Sequence, residues 1–93
     1  MIHTFTAKRI IGQFLVTHVK VMMDDKHFRF EFGKAYDLQL EKGMHTIEVF
    51  LDYPIFKKKS GVALATFEVQ DKPIHILYQS PLFVQMSGKI TFK

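Results

Sequence analysis

The chain has 93 residues, of which 47% are hydrophobic and 24% charged, so its size and composition are those of one folded domain and not of a disordered tail. It has no cysteine, which excludes a disulfide framework, a cysteine-ligated zinc site and a cysteine nucleophile. Thirteen basic and nine acidic residues give a net charge of +4, which is short of the charge stripe of a nucleic-acid-binding domain. We expect a single domain over residues 1–93.

The first quarter of the chain predicts two strands. Ile2–Thr6 is a weak opening strand, and residues 15–23 alternate between apolar and polar positions. Lys8 and Arg9 stand before an apolar run, as in a signal peptide, but apolar residues precede these charges and no small-residue cleavage site follows the run. No stretch approaches the roughly 20 apolar residues of a membrane span. We therefore expect a cytoplasmic location.

The middle of the chain shows the clearest strand periodicity. Three phenylalanines alternate with charged residues over 28–32, and apolar residues recur at every second position over 36–40 and 45–51. Polar or glycine-containing turns separate these strands at 24–26, 33–34 and 42–43. The apolar positions predict a core that contains Phe28, Phe30, Phe32, Leu38, Leu40, Ile47 and Val49.

The last part of the chain continues in the same manner. Residues 52–61 read as a loop, because Pro54 cannot donate a ladder hydrogen bond and three consecutive lysines favour water. Strands are expected at Val62–Val69 and Ile74–Tyr78, followed by a hairpin of residues 82–86 and 89–92 around Ser87-Gly88. Seven or eight short strands predict an all-β fold, a small antiparallel β-sandwich of immunoglobulin-like or transthyretin-like type.

A longer pattern runs from Val19-Lys20-Val21-Met22-Met23-Asp24-Asp25 through Gly33 to Gly43-Met44-His45-Thr46-Ile47-Glu48-Val49. It resembles a bacterial pattern of the form V-x-V-x-x-D-G followed by G-x-H-x-I-x-V, with Asp25 in place of the turn glycine. This pattern is similar to PEGA-like β-sandwich domains and to small proteins of Gram-positive bacteria. The resemblance covers about a third of the chain, implies a β-sandwich used for structure or binding, and carries no catalytic residue.

Neither a metal site nor an active site is expected. The five histidines do not stand at the close spacings of zinc motifs, and His45 is in phase with the buried positions of its strand, so we expect it to be a partly buried structural residue. Asp24 and Asp25 are explained by turn chemistry, and no serine has nucleophile-elbow spacing. We therefore expect no enzyme activity, no cofactor and no small-molecule substrate.

Two surfaces are predicted to bind partners. The first is the loop with its lysine run. The second is the strand at 82–86, whose two faces are both apolar, so that each face must be buried against another part of the chain or against a partner. The interpretation is a non-catalytic module that acts through protein–protein contact, including a homodimer formed through edge strands. The alternative is weak binding of an anionic membrane or nucleic acid through the loop. The residues of the two surfaces are Tyr53, Ile55, Phe56, Lys57, Lys58, Lys59, Leu82, Val84 and Met86.

Charge is unevenly distributed along the chain. Residues 1–23 carry a charge of +3, residues 24–52 a charge of −3, and residues 53–93 a charge of +4. An acidic middle segment between two basic terminal segments favours self-association, or it places charges of opposite sign on opposite surfaces of the molecule.

Overall fold

A computed structural model describes residues 2–9, 17–52, 60–81 and 87–93. All regular secondary structure in these residues is strand, which confirms the all-β prediction. The eight strands are β1 (Ile2–Lys8), β2 (His18–Met23), β3 (Lys26–Glu31), β4 (Ala35–Gln39), β5 (Gly43–Leu51), β6 (Ser60–Val69), β7 (His75–Gln79) and β8 (Lys89–Phe92).

The strands form two four-stranded sheets that pack as a β-sandwich. One sheet has the order β4-β1-β7-β8 and the other β3-β2-β5-β6. This confirms the predicted small β-sandwich, in which five of the six strand pairs among the described residues are antiparallel and one pair, β1 with β7, runs parallel. The alternation of apolar residues indicates which face of a strand is buried and carries no information on the direction of its neighbour, so the sequence pattern could not show this pairing.

The core lies between the sheets and consists of the inward side chains of each strand. Of the predicted core, Phe30, Leu38, Ile47 and Val49 are buried, while Phe28, Phe32 and Leu40 are partly buried and pack against it. The strands β1 and β7, whose apolar alternation is weaker, add the fully buried Phe5, Ile76 and Tyr78. The aromatic residues thus supply much of the buried volume.

Aromatic rings close one side of the sandwich, where the edge strands β3 and β4 face each other. The rings of Phe30 and Tyr36 stack with centroids 4.2 Å apart, and the ring of Phe5 lies 5.4 Å from that of Phe30. The Tyr36 hydroxyl also accepts a hydrogen bond of 3.0 Å from the backbone N–H of Glu31. A backbone donor of the edge strand β3 is therefore satisfied within the chain.

The other side is closed by a close approach of the edge strands β6 and β8. The buried Tyr78 hydroxyl donates to the Gly61 carbonyl at 2.5 Å, and the Gly88 N–H donates to the Val62 carbonyl at 3.1 Å. A Cβ on Gly88 would lie 2.5 Å from the Tyr78 ring and 2.6 Å from the Gly61 oxygen. Only glycine fits at this point, because real Cβ contacts are longer.

The direction of the strands gives the sandwich two chemically different ends. The 24–25 and 40–42 connections and the end of β6 at Val69 lie together at one end, which we call the turn end. The last residue of β1, Lys8, and the first residues of β6 and β8 lie at the opposite end, which we call the far end. The longest dimension of the molecule is 39 Å.

Candidate interaction surfaces

All nine residues predicted to bind partners lie outside the described residues, in segments 53–59 and 82–86. The described neighbours show where the first segment starts and returns. Asp52 follows β5, and its N–H donates to the His18 carbonyl at 3.1 Å, while Ser60 opens β6 in register with Leu51. Segment 53–59 therefore leaves and rejoins the β3-β2-β5-β6 sheet at the far end.

The outer face of the β3-β2-β5-β6 sheet carries an apolar strip, which we define as Met22, Met44, Phe50 and Leu64. Met44 and Leu64 are 62% and 68% exposed, and Met22 and Phe50 are half-buried. Across the sheet, Met22 and Leu64 flank Glu48 in one row of the ladder. The alternation of β2 and β5 indicates that Met22 and Phe50 face outward, a signal that the sequence interpretation did not use.

Basic side chains border the apolar strip. Lys20 lies opposite both Arg29 of β3 and Phe50 of β5 in the ladder. Together with Met22 and His27 these residues line a shallow hollow of about 310 Å³. Arg29 bonds Asp52 at 2.5 Å, which fixes its guanidinium beside the end of β5.

The outer face of the other sheet is polar by comparison. Thr4 lies opposite Asp37 of β4 on one side and His75 of β7 on the other. The Thr6 hydroxyl and the His75 ring form a hydrogen bond of 3.1 Å. This face also carries Ile2, which is 52% exposed, and the half-buried Leu77, so the two outer faces differ in degree: the β3-β2-β5-β6 face carries more large apolar side chains.

The turn end holds a groove of about 1210 Å³, which we call the acidic groove. Its apolar lining comes from both sheets and consists of Met23, Phe28, Leu38, Leu40 and Val69. Its acidic lining consists of Asp24, Asp25, Asp37, Glu41 and Asp71. Two lysines, Lys26 and Lys42, and His45 complete its charged lining, so carboxylates outnumber basic groups in a chain that is positive overall.

A clamp between Asp24 and His45 ties the two turns of the groove together. The Asp24 backbone has a φ of 55°, which an aspartate tolerates in a turn, and its N–H donates to the Thr46 carbonyl at 2.9 Å. Its carboxylate accepts from the Thr46 N–H at 3.1 Å and from His45 Nδ1 at 2.8 Å. His45 Nε2 lies 2.7 Å from the Glu41 carbonyl oxygen. These bonds confirm His45 as a partly buried, fully bonded histidine.

The clamp is charged on both sides. A carboxylate and a carbonyl only accept hydrogen bonds, so both nitrogens of His45 donate and the ring is an imidazolium. The hydrogen bond to Asp24, followed by that to the Glu41 carbonyl, raises the pKa of His45 above its usual value. The hydrogen bond from His45, followed by that from the Thr46 N–H, lowers the pKa of Asp24.

Pairing leaves part of the acidic groove uncompensated. His45 neutralises Asp24, and Lys42 lies 2.5 Å from Asp71. Among the described residues, Asp25, Asp37 and Glu41 have no basic group within ion-pair distance. All three are exposed, as is Lys26, which also lines the groove and has no ion pair among the described residues.

His3 is a buried polar residue next to this end. Its Nδ1 accepts a hydrogen bond of 2.9 Å from the Ile74 N–H, so the proton of the neutral ring is on Nε2, which is buried and has no hydrogen-bond partner in the described structure. Burial, with a smaller contribution from the charge of His45, lowers the pKa of His3. His3 shares the inward phase of β1 with Phe5 and Ala7, a signal that the sequence interpretation did not use.

Comparison of the chain with protein-family models, with curated proteins and with solved structures gave no match. Within the described ranges, no three histidine, aspartate or glutamate side chains are grouped so that they could hold a metal ion. In the same ranges, no helix is long and apolar enough to cross a bilayer.

Proposed function

We propose that this protein is a non-catalytic β-sandwich module that works through protein–protein contact and that it associates with a second copy of itself. The apolar strip is the observation that carries the proposal. Monomeric proteins expose scattered apolar side chains, whereas several large ones on one sheet face, beside basic residues, are typical of a binding surface.

The hydrogen bonds of the clamp between Asp24 and His45 support a binding role over catalysis. A histidine that acts as a general acid or base needs a ring nitrogen within reach of its substrate. Both ring nitrogens of His45 are bonded, one to the Asp24 carboxylate and one to the Glu41 carbonyl. The clamp therefore serves to hold two turns in place, and the proposal assigns it a structural role.

The alternative function is weak binding of an anionic membrane or nucleic acid through the loop Tyr53–Lys59. One described feature favours it: the loop leaves the same sheet whose outer face carries Lys20 beside Phe50, although Asp52 neutralises the neighbouring Arg29. Such binding depends on charge and weakens steeply as salt rises, whereas contact through apolar side chains does not.

Light scattering coupled to size exclusion tests the proposal at tens of micromolar protein and high salt. We expect a dimer for the natural chain and a monomer for Leu64→Lys, because a lysine buried in the contact would lose its hydration. The matched control is Ala35→Lys, an exposed strand position on the outer face of the other sheet, which should remain dimeric. A monomeric natural chain, or a Leu64→Lys variant that stays dimeric, would contradict the proposal.

Sedimentation with anionic vesicles and with single-stranded nucleic acid, each at low and high salt, tests the alternative. Binding that depends on Lys57, Lys58 and Lys59 and disappears at high salt would favour it.

The cytoplasmic location and the resemblance to PEGA-like domains remain predictions, and the binding role proposed here agrees with what that resemblance implies.

A further inference from the structure

We propose that His3 is a pH-sensitive switch: its neutral ring holds the connection between β6 and β7 against β1, and protonation of the ring in mildly acidic solution releases that connection. The switch does not use the apolar strip, so the proposal is independent of self-association. The observation that carries it is a buried ring nitrogen, His3 Nε2, that has no hydrogen-bond partner among the described residues. A buried polar atom without a partner is uncommon in folded proteins and needs an explanation.

The ring of His3 forms one of the two hydrogen bonds that tie Ile74 to β1. Its Nδ1 accepts from the Ile74 N–H at 2.9 Å, and the Ile74 carbonyl accepts from the Thr4 N–H at 3.1 Å. Ile74 stands directly before β7, whose parallel pairing with β1 begins at Thr4 and His75. Both backbone groups of Ile74 are therefore bonded to β1, and one of these bonds needs an unprotonated Nδ1.

A second proton on the ring is incompatible with this arrangement. An imidazolium donates from both nitrogens and accepts with neither, so Nδ1 would face the Ile74 N–H as donor against donor. His3 is 0% exposed, and an unpaired charge buried in a protein interior is strongly unfavourable. Among the described residues, no carboxylate lies within ion-pair distance of His3. The charged ring must therefore reach water, which requires the connection that covers it to separate from β1.

The charges that act on His3 oppose its protonation. Burial is the main reason that the pKa of His3 is lowered, and the positive charges of the amino terminus and of His45, on β5 of the facing sheet, add to it. On the flanking strands, Asp37 of β4 and His75 of β7 lie opposite Thr4, the outward-facing neighbour of His3, and both are exposed. They therefore lie on the outer face of the sheet, away from the ring.

The remaining charged groups at the turn end are bonded or in water. Asp24 is bonded to His45, and Asp71 of the connection pairs with Lys42 at 2.5 Å. Three further charged residues at this end are exposed, namely Asp25, Glu41 and Lys72. Within the described part of the chain, His3 thus has no buried counter-charge that would let it stay in place when it is protonated.

The clamp does not titrate in the range where the switch acts. The hydrogen bond to Asp24 raises the pKa of His45, and the hydrogen bond from His45 lowers the pKa of Asp24. His45 is therefore already protonated, and Asp24 is still ionised, at a pH between the ordinary values of a histidine and an aspartate. Opening in that range is due to His3, and it uncovers Ile74, which packs against the core.

Amide hydrogen exchange, measured by NMR on the natural chain between about pH 7 and 4.5, tests the switch. Each exchange rate, divided by the intrinsic rate of an unstructured peptide, gives an opening equilibrium constant. We expect the constant of the Ile74 amide to rise by up to tenfold for each pH unit below about 6.5, because opening takes up one proton. The amides of the fully buried Val21 and Val49, in the other sheet, report global unfolding.

Low concentrations of urea separate local opening from global unfolding. Release of the connection exposes little surface, so the constant of the Ile74 amide should hardly change as urea is added. Exchange at Val21 and Val49 should increase with urea, because global unfolding exposes the whole core.

His3→Asn removes the titrating ring and keeps an acceptor near the position of Nδ1. In this variant the opening constant of the Ile74 amide should no longer rise between about pH 6.5 and 4.5. The matched control is His75→Asn, which removes the exposed histidine next to Ile74 and should retain the pH dependence of the natural chain.

The ¹⁵N shifts of the His3 ring test the proton position in the natural chain without any substitution. We expect Nδ1 to be unprotonated and Nε2 protonated at about pH 7. If His3→Asn does not fold, these shifts and the exchange of the natural chain decide the question.

The proposal is overturned if the opening constant of the Ile74 amide stays the same between about pH 6.5 and 4.5, or rises only together with those of Val21 and Val49. A pH dependence that survives in His3→Asn or disappears in His75→Asn also overturns it, as does a ring protonated on Nδ1 at neutral pH. None of these results changes the comparison of Leu64→Lys with Ala35→Lys, so this proposal and the proposed function fail separately.

Discussion

The clamp between Asp24 and His45 makes a specific prediction about stability and pH. Asp24→Asn keeps the size of the side chain, its tolerance of the left-handed backbone and the acceptor for the Thr46 N–H, but it removes the negative charge. His45→Gln removes the positive charge. The coupling free energy between the two substitutions then measures the ion pair itself, apart from the packing of His45 against Phe67.

The expected magnitude follows from the burial of the two partners. The side chain of His45 is 12% exposed, whereas that of Asp24 is 46% exposed, so solvent screens the pair from one side. A charge-assisted hydrogen bond in a buried site contributes about 1.5–3 kcal/mol, and an exposed ion pair contributes about 0–1 kcal/mol. We expect a coupling of about 1 kcal/mol near pH 6.

The pH window follows from the direction of each shift. The pKa of His45 is raised in the folded state, so its contribution is complete below the ordinary histidine pKa and is lost as pH rises through the raised value. The pKa of Asp24 is lowered, so its contribution is complete above the ordinary aspartate pKa and is lost as pH falls through the lowered value. The coupling should therefore be largest between about pH 4 and 6.5 and should disappear in alkaline solution.

Urea unfolding of the four proteins of the cycle, at intervals between pH 5 and 9, gives this coupling directly. The lowered pKa of the buried His3 means that the protein loses stability as pH falls, and the charge of His45 contributes to this shift. While His45 is protonated, its effect on His3 is the same with and without the Asp24→Asn substitution, so this contribution cancels from the cycle. A coupling that is below about 0.3 kcal/mol at pH 6, or that is unchanged at pH 9, would refute the ion-pair interpretation of the clamp.

Two further substitutions test the packing of the sandwich. Phe30→Ala should lower the free energy of unfolding by about 3–5 kcal/mol, because Phe30 is 8% exposed and its ring contacts three other rings. Denaturant melts measure this loss, and a loss below about 1 kcal/mol would place Phe30 at the surface. Gly88→Ala should destabilise the folded protein by about 1–3 kcal/mol, because the added Cβ would overlap the Tyr78 ring. An unchanged temperature of unfolding would show that β8 does not approach β6 as closely as the structure indicates.

The sequence predicted the strands of the central region well because each of them has one buried and one solvated face. The positions of Phe30, Ile47 and Val49 repeat with a period of two, and that period alone places them inward. His45 could be assigned correctly for the same reason, since it occupies the inward phase of β5. The hydrogen-bond partner of His45 could not be predicted, because Asp24 lies 21 residues away along the chain and the contact depends on the pairing of β2 with β5.

The acidic groove was beyond sequence reasoning because three separate connections build it. Asp25, Glu41 and Asp71 are each unremarkable turn residues, and only the meeting of the two sheets at the turn end brings them together. The uneven charge along the chain was visible, but which of its charged side chains meet in the groove depends on the direction of every strand. The parallel pairing of β1 with β7, which the sequence did not predict, is one of those directions.

The edges of the two sheets bear on which form of self-association the molecule can use. The expected homodimer through edge strands needs backbone groups that are free to pair. On one side the Glu31 N–H is bonded to the Tyr36 hydroxyl, and β3 presents charged side chains along its length. On the other side the Val62 carbonyl accepts from the Gly88 N–H. Because a backbone group on each side is already bonded within the molecule, the outer face of the β3-β2-β5-β6 sheet is the better supported contact.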